Sequence, residues 1–210
     1  MSHNTVIHLI VRPVVRVAAR TRLKPNHITT ARLITGLAAA AAFAEGGYAW
    51  MAAGGAIFLF SILLDRADGE LARQTRQMSL AGHRYDLTAD CICSMATFLG
   101  LGLGVSQVVG QTAIWVGALA AVGIGALFFE LNVLKAASVG GHTPFGGKVT
   151  VDEDDAMVLL PVFVWLGLAS PMLLVGAVVT PLAAATVAVL CLRQRSARLR
   201  TGDVRSQITP

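Results

Sequence analysis

The chain has 210 residues, of which 55% are apolar and only 14% are charged. An ordinary soluble domain carries roughly 25% charged residues, and a mean hydropathy of +0.66 favours lipid as the solvent. Aromatic residues make up 6% of the chain, so the apolar content is mainly small and aliphatic, which suits closely packed membrane helices. These figures nearly exclude a soluble globular fold. The three cysteines are too few and too odd in number for a disulfide scaffold.

Six apolar stretches approach the roughly 20 residues that a helix needs to cross a bilayer. They run over residues 28–44, 49–64, 87–105, 112–134, 156–170 and 172–192. The second and fifth stretches are short for a span, so each is expected to borrow residues from its flanks or to tilt little. The second helix must therefore continue past Leu64 into Asp65 and beyond. The predicted fold class is therefore all-α, a polytopic membrane protein with six transmembrane helices.

The net charge of +5 could indicate nucleic acid as a partner. On an alternating six-pass topology, however, all seventeen Lys and Arg residues fall on one side. The positive-inside rule then predicts a multi-pass protein of the cell (inner) membrane, with both termini in the cytoplasm and no nucleic-acid partner.

The residues before Pro25 form a separate element in this prediction. Arg12, Arg16 and Arg20 recur every four residues beside valines, which is typical of an amphipathic helix on an anionic membrane surface. A secretory signal peptide is less favoured, because the long apolar run begins only near residue 28. The predicted division is an amphipathic juxtamembrane segment, a six-helix catalytic domain and a basic cytoplasmic tail, over residues 1–24, 25–193 and 194–210.

Composition does not explain four aspartates next to two of the spans. Asp65 and Asp68 are spaced i, i+3, and Asp86 and Asp90 are spaced i, i+4, so each pair shares a helix face. A tight turn between the helices would bring the pairs together. Crowded carboxylates need cations, and all-oxygen ligands favour Mg²⁺ or Mn²⁺. A two-metal site of this kind suits a phosphate or pyrophosphate substrate, and the active site would face the cytoplasm.

The residues beside the aspartates are mostly small. Gly69 and Ala72 lie one turn after the first two aspartates, so a flat nucleobase or ribose could rest against that bare helix face. Gly82 could admit a ligand in the same way, and the forked guanidinium of Arg73 suits a phosphate. The alternative is a solvated loop with surface ion pairs, which the combined spacing disfavours. A cation-binding transporter is a second alternative, although its acids would be expected deeper in the membrane.

These residues resemble the signature of the CDP-alcohol phosphotransferase (CDP-alcohol phosphatidyltransferase) family, an integral membrane family of phospholipid synthesis. Every fixed position of that signature is matched, by Asp65, Asp68, Gly69, Ala72, Arg73, Gly82, Asp86 and Asp90. The resemblance implies a metal site made of Asp65, Asp68, Asp86 and Asp90, with Asp90 also acting as the catalytic base. It further implies a nucleotide site that is lined by Asp68, Gly69, Ala72, Arg73 and Gly82.

Family members also often carry a Pro-Asn pair followed by Thr before the first span, as in Asn26 and Thr29 here. These two residues are added to the nucleotide site. The alternative is a turn at Asn26 with Thr29 capping the first helix.

The resemblance implies transfer of a substituted phosphate from a CDP-alcohol lipid donor to a small polar acceptor, with release of CMP. CDP-diacylglycerol is the favoured donor, because a site at the membrane boundary can take its tails from the bilayer. The shared signature does not exclude the transfer of a CDP-bound headgroup to diacylglycerol. An acceptor such as inositol phosphate or glycerol phosphate would need further cations, for which the candidates are Lys135, Lys148 and Arg193. A homodimer is implied by the family alone.

Overall fold

The computed structural model describes residues 25–75, 77, 79–131 and 153–206. Within these ranges the chain is helical and forms no strand. The helices are α1 (Pro25–Ala44), α2 (Gly47–Thr75), α3 (Leu80–Val109), α4 (Thr112–Phe129), α5 (Glu153–Trp165) and α6 (Ala169–Ser206). The predicted all-α class is confirmed.

Five of these helices are long and apolar enough to cross a membrane: α1, α2, α3, α4 and the part of α6 up to Arg193. They coincide with five of the six predicted spans. The remaining predicted span, 156–170, coincides with α5, whose 13 residues cover about 20 Å at 1.5 Å per residue. A turn follows this helix, in which Gly167 has a φ of +75°. The described length of α5 is shorter than the roughly 30 Å hydrocarbon layer.

The helices that carry the aspartates are longer than the apolar stretches. The second helix continues past Leu64 to Thr75, as predicted, and α3 begins at Leu80, ahead of its apolar run. Ser79 caps α3, since its side-chain oxygen accepts a hydrogen bond from the backbone N–H of Gly82 at 3.0 Å. The aspartates therefore lie on regular helix and not in a loop.

The first helix packs against both α2 and α3, and glycines set its distance from α3. A Cβ atom added to Gly100 would collide with the carbonyl oxygen of Ala40, and one added to Gly104 would collide with that of Phe43. Such close backbone approach needs residues without side chains. The crossing fixes which turns of α1 and α3 face each other.

The remaining helices extend the bundle outward. The fourth helix packs on α3 and α6, and α5 packs on α2. Three glycines of α4 lie against neighbouring helices of the same chain. A Cβ on Gly117 would meet the backbone of α3, one on Gly123 would meet α6, and one on Gly125 would lie 3.1 Å from a methionine sulfur of α3. The homodimer stays a prediction.

Several predictions concern residues beyond those the structure describes. The amphipathic segment 1–24 and the acceptor candidates Lys135 and Lys148 lie outside the described residues. The helix α6 runs without interruption through the predicted boundary between 193 and 194. The division of the chain into three parts stays a prediction.

Replacing Gly104 tests the α1–α3 crossing. We expect Gly104→Ala to lower the free energy of unfolding by about 1–3 kcal/mol, because the added methyl overpacks a backbone contact and also comes within 2.6 Å of the Met51 methyl. Thermal unfolding in detergent measures the change. The control is Ala41→Val, which adds volume at an exposed position on α1. Equal melting temperatures for both variants would contradict the packing argument.

Candidate active site

Three helix ends converge at one end of the bundle and bring polar side chains together. These side chains come in pairs from α1 (Thr29 and Arg32), α2 (Asp65 and Asp68) and α3 (Asp86 and Asp90). Each pair is spaced by three or four residues, so its members share one helix face. The predicted meeting of the two aspartate pairs is thus observed.

Three of the aspartates form a compact oxygen cluster. One carboxylate oxygen each from Asp65, Asp68 and Asp86 lies within 4.8 Å of the others. Mg²⁺ binds oxygen at about 2.1 Å, so opposite ligands of one ion are about 4.2 Å apart. The donor atoms are all hard oxygens and need only a small closure to meet one such ion. These residues fit a hard divalent metal.

A buried hydroxyl fixes the deepest aspartate. The Thr29 hydroxyl donates a hydrogen bond to Asp68 Oδ2 at 2.6 Å, and both residues are 3% exposed. Because α1 already begins at Pro25, Thr29 lies inside the helix and is not its cap. The capping alternative is therefore wrong, and Thr29 instead orients a carboxylate of the cluster.

An arginine lies among the aspartates, which the sequence reasoning missed. The positive-inside argument counted Arg32 among the cations that anchor the chain at the membrane surface. In the structure, however, Arg32 is only 6% exposed. Its Nη1 atom lies 2.8 Å from Asp65 Oδ1 and 3.1 Å from Asp86 Oδ1, and its Nη2 atom pairs with Asp90. A cation inside an apolar span, one turn after Thr29, was the available signal.

A pocket of about 550 Å³ opens beside the aspartates. All seven residues predicted for the nucleotide line it: Asn26, Thr29, Asp68, Gly69, Ala72, Arg73 and Gly82. Sequence reasoning did not include Gln77, Ser79, Leu80 and His83, which also line it. Asp68 and Asp86 line the pocket and also belong to the compact oxygen cluster, so the pocket is continuous with that cluster.

The pocket wall on α2 combines a bare surface with a tethered cation. A Cβ on Gly69 would meet nothing nearer than Arg73 Nη1 at 4.0 Å, so this stretch of helix backbone is open. Arg73 is about half exposed and donates hydrogen bonds to Glu70 Oε2 at 2.9 and 3.2 Å. On the opposite wall, a Cβ on Gly82 would lie 3.2 Å from Asn26 Oδ1, so α1 and α3 are close there.

Of the three predicted acceptor residues, Arg193 belongs to the part of the chain that the structure describes. Arg193 is exposed on α6 and does not line the pocket, while Lys135 and Lys148 lie outside the described residues. The acceptor site stays a prediction.

The sequence profile of the CDP-alcohol phosphatidyltransferase family matches residues 22–187. None of the curated proteins matches the chain. Solved structures of phosphatidylinositol phosphate synthase from Mycobacterium tuberculosis are similar in fold. Its apo form has a TM-score of 0.67 and is 20% identical, with 86% of this chain and 93% of that chain covered.

Two further structures of that enzyme are similar to this chain. The form with CDP-DAG bound has a TM-score of 0.66 at 21% identity, covering 88% of this chain and 90% of that chain. The complex with manganese and citrate has a TM-score of 0.63 at 20% identity, covering 90% and 86%.

Gly69 offers a test of the pocket that leaves the fold intact. We expect Gly69→Ala, and more strongly Gly69→Val, to weaken CDP binding, because the added carbons point into open pocket space. The loss is about 10-fold or more per step if about 1.4 kcal/mol of contact is removed. Calorimetric titration with CDP measures the affinity. Unchanged affinity in both variants would contradict the assignment, and the melting temperature of the same samples controls for folding.

Proposed function

This chain belongs to the CDP-alcohol phosphatidyltransferase family, and we propose that it transfers the phosphatidyl group of CDP-diacylglycerol to a hydroxyl of inositol phosphate, releasing CMP. As a family member it is a divalent-metal-dependent, multi-pass membrane enzyme of phospholipid synthesis. The observation that carries the proposal is the continuity between the pocket and the aspartate cluster, which share Asp68 and Asp86.

The position of the site supports a lipid donor. The aspartates lie near the ends of membrane-spanning helices, where a nucleotide can stay in water while acyl chains stay in the bilayer. The similar fold of a structure with CDP-DAG bound supports the same donor. The CDP moiety is proposed to occupy the pocket, with the bare face of α2 against the nucleotide and Arg73 next to phosphate.

The choice of inositol phosphate draws on the similarity to phosphatidylinositol phosphate synthase. Its phosphate carries negative charge and needs cations of its own. Lys135, Lys148 and Arg193 are proposed for that role because the predicted six-pass topology assigns them to the side of the aspartates. Glycerol phosphate presents the same charged group and is the competing acceptor in the assay below.

The four aspartates are proposed to have different roles, according to their positions in the site. Asp65, Asp68 and Asp86 are proposed to hold the metal, Mg²⁺ or Mn²⁺, which neutralises the pyrophosphate and the departing CMP when bound. Thr29 keeps one of these carboxylates in a single orientation through its hydrogen bond to Asp68.

Asp90 is proposed to be the general base. It lies outside the compact oxygen cluster but beside it, held by Arg32. The Asp90 carboxylate accepts the proton of the acceptor hydroxyl, whose oxygen then bonds to the β-phosphorus of the donor. The bond between that phosphorus and the bridging pyrophosphate oxygen breaks, and CMP leaves. Water competes as a nucleophile, so the acceptor must be positioned closely.

We propose that this chemistry takes place on the cytoplasmic face of the cell membrane. On the predicted six-pass topology, all seventeen Lys and Arg residues fall on the side of the turn between α2 and α3. Cytoplasmic loops carry such an excess.

A transfer assay tests the function. Purified protein in detergent receives labelled CDP-diacylglycerol with Mg²⁺, Mn²⁺ or EDTA, and with inositol phosphate, glycerol phosphate, inositol or no acceptor. We expect metal-dependent CMP release coupled to a phosphorylated inositol lipid. Release of CMP only with a different acceptor would contradict the substrate, and the absence of CMP under all conditions would contradict the donor.

The assignment of the base is tested in the same assay. We expect Asp90→Asn to reduce transfer by about 10²-fold or more, because the amide cannot take the proton, while CDP binding persists. The control is Glu45→Gln, which neutralises an exposed acid in the turn between α1 and α2, at the far ends of these helices. Full turnover by Asp90→Asn would rule out the assigned role.

Single cysteines test the sidedness in a background without Cys91, Cys93 and Cys191. We expect a membrane-impermeant maleimide to label Gln111→Cys in intact cells and to label Arg84→Cys only after the membrane is opened. Both positions are exposed, and they lie at opposite ends of the bundle. The reverse labelling pattern would place the active site on the outer face.

A further inference from the structure

An acidic side chain stands next to the pocket wall on α2. Glu70 follows Gly69 in the chain and contacts Arg73, and both of these neighbours line the pocket, whereas Glu70 does not. A fifth carboxylate beside the four aspartates adds negative charge where a diphosphate is proposed to bind, which is unfavourable by itself. The Glu70 side chain is also only 19% exposed. Its position therefore needs a compensating interaction.

Both carboxylate oxygens of Glu70 accept hydrogen bonds from side chains one turn further along α2. Oε2 accepts from Arg73 Nε at 3.2 Å and from Arg73 Nη2 at 2.9 Å. Oε1 accepts from Gln74 Nε2 at 2.9 Å. The carboxylate is thus held by two residues, and it fixes one edge of the Arg73 guanidinium.

The other side of that guanidinium faces the bare wall of the pocket. Arg73 Nη1 makes neither of the hydrogen bonds to Glu70, and it is the atom nearest to a Cβ placed on Gly69, at 4.0 Å. A guanidinium is a planar fork with five N–H groups, so it can bind a carboxylate along one edge and a phosphate along another. A lysine ammonium is a single point charge and could not present a fixed second edge in this way.

Helix stability does not explain the contact. An i, i+3 ion pair on an exposed helix surface contributes little free energy, and the Arg73 side chain is 53% exposed. Ordering matters more, because a free arginine side chain loses rotamer freedom when it binds a phosphate. An arginine that is already held before the ligand binds loses less, so its affinity for the phosphate is higher.

We propose that Glu70 is a positioning residue for the donor, holding Arg73 so that Nη1 faces a phosphate of the CDP-alcohol, while Gln74 holds Glu70. This inference rests on the proposed function, since it takes the pocket as the CDP site. Glu70 acts through Arg73 and does not contact the substrate. The gain from ordering Arg73 exceeds the repulsion between Glu70 and the phosphate, which solvent ions screen near the half-exposed guanidinium.

A double-mutant cycle tests the proposal. The variants are Glu70→Ala, Arg73→Ala and the combination of both, and CDP affinity is measured by calorimetric titration of purified protein in detergent with Mg²⁺. We expect Glu70→Ala to weaken CDP binding by about 3- to 10-fold, which corresponds to the ordering of one long side chain, and Arg73→Ala to weaken it further. In the Arg73→Ala background, we expect Glu70→Ala to change the affinity by less than about twofold.

Two results of the cycle would overturn the proposal. Unchanged or tighter CDP binding by Glu70→Ala would mean that Glu70 does not prepare Arg73 for the phosphate, or competes with the phosphate for it. An equal loss in the presence and in the absence of Arg73 would mean that Glu70 acts on the shape of the wall and not through the guanidinium.

Cytidine separates a phosphate contact from a change in pocket shape, because it carries the base and the ribose without phosphate. Its affinity is measured by competition with labelled CDP. We expect this affinity to be the same within about twofold in the wild type and in Glu70→Ala. A parallel loss of cytidine and CDP binding would overturn the positioning role.

Two further variants serve as matched controls. Gln74→Ala removes one support of the Glu70 carboxylate, and we expect a smaller loss of CDP affinity than in Glu70→Ala. Glu45→Ala removes an exposed acid at the opposite end of the bundle, and we expect unchanged affinity. An equal loss in Glu45→Ala and Glu70→Ala would attribute the effect to net charge and overturn the proposal. Melting temperatures check the folding of all samples, and Glu70→Gln replaces Glu70→Ala in the cycle if the alanine variant is unstable.

Failure of this inference can be distinguished from failure of the proposed function. Metal-dependent CMP release from CDP-diacylglycerol without coupling between Glu70 and Arg73 would overturn the positioning role and leave the function intact. Coupling in CDP binding without transfer to any acceptor would do the reverse. Absence of CDP binding by the wild type would overturn both.

Discussion

Mutual repulsion among four carboxylates is the constraint on which the rest of the site depends. At the edge of a membrane, nearby cations and hydrogen-bond donors are needed to offset that repulsion. The chain supplies both from α1, as the guanidinium of Arg32 and the hydroxyl of Thr29. The first helix is thus as much a part of the active site as the two helices that carry the acids.

The same helix is placed by contacts far from the chemistry. Gly100 and Gly104 admit the backbone of α1 so closely that a single methyl would collide with it. Because helices are stiff, this crossing determines which residues of α1 lie opposite Asp86 and Asp90 several turns away. Packing in the apolar part of the bundle therefore determines which side chains can form ion pairs at its end.

Sequence was sufficient for the features that follow from periodicity and composition. The aspartate spacings and the extension of α2 past Leu64 were predicted because helix geometry converts spacing directly into shared faces. Arg32 was not predicted, because the positive-inside argument counts cations by position along the chain and is blind to the direction in which a side chain points. The fifth apolar stretch was expected to be short, but its end was placed at residue 170, since hydropathy does not register the turn at Gly167, where the positive φ ends α5.

The bare face of α2 at Gly69 and Ala72 has a consequence for the evolution of substrate range. In the proposed binding mode, this wall of backbone contacts the nucleotide by shape, and every CDP-alcohol presents the same nucleotide. Exchange of one alcohol for another therefore leaves this wall unchanged. Relatives that make different products can therefore keep the same residues along this wall and differ only in the residues that bind the alcohols.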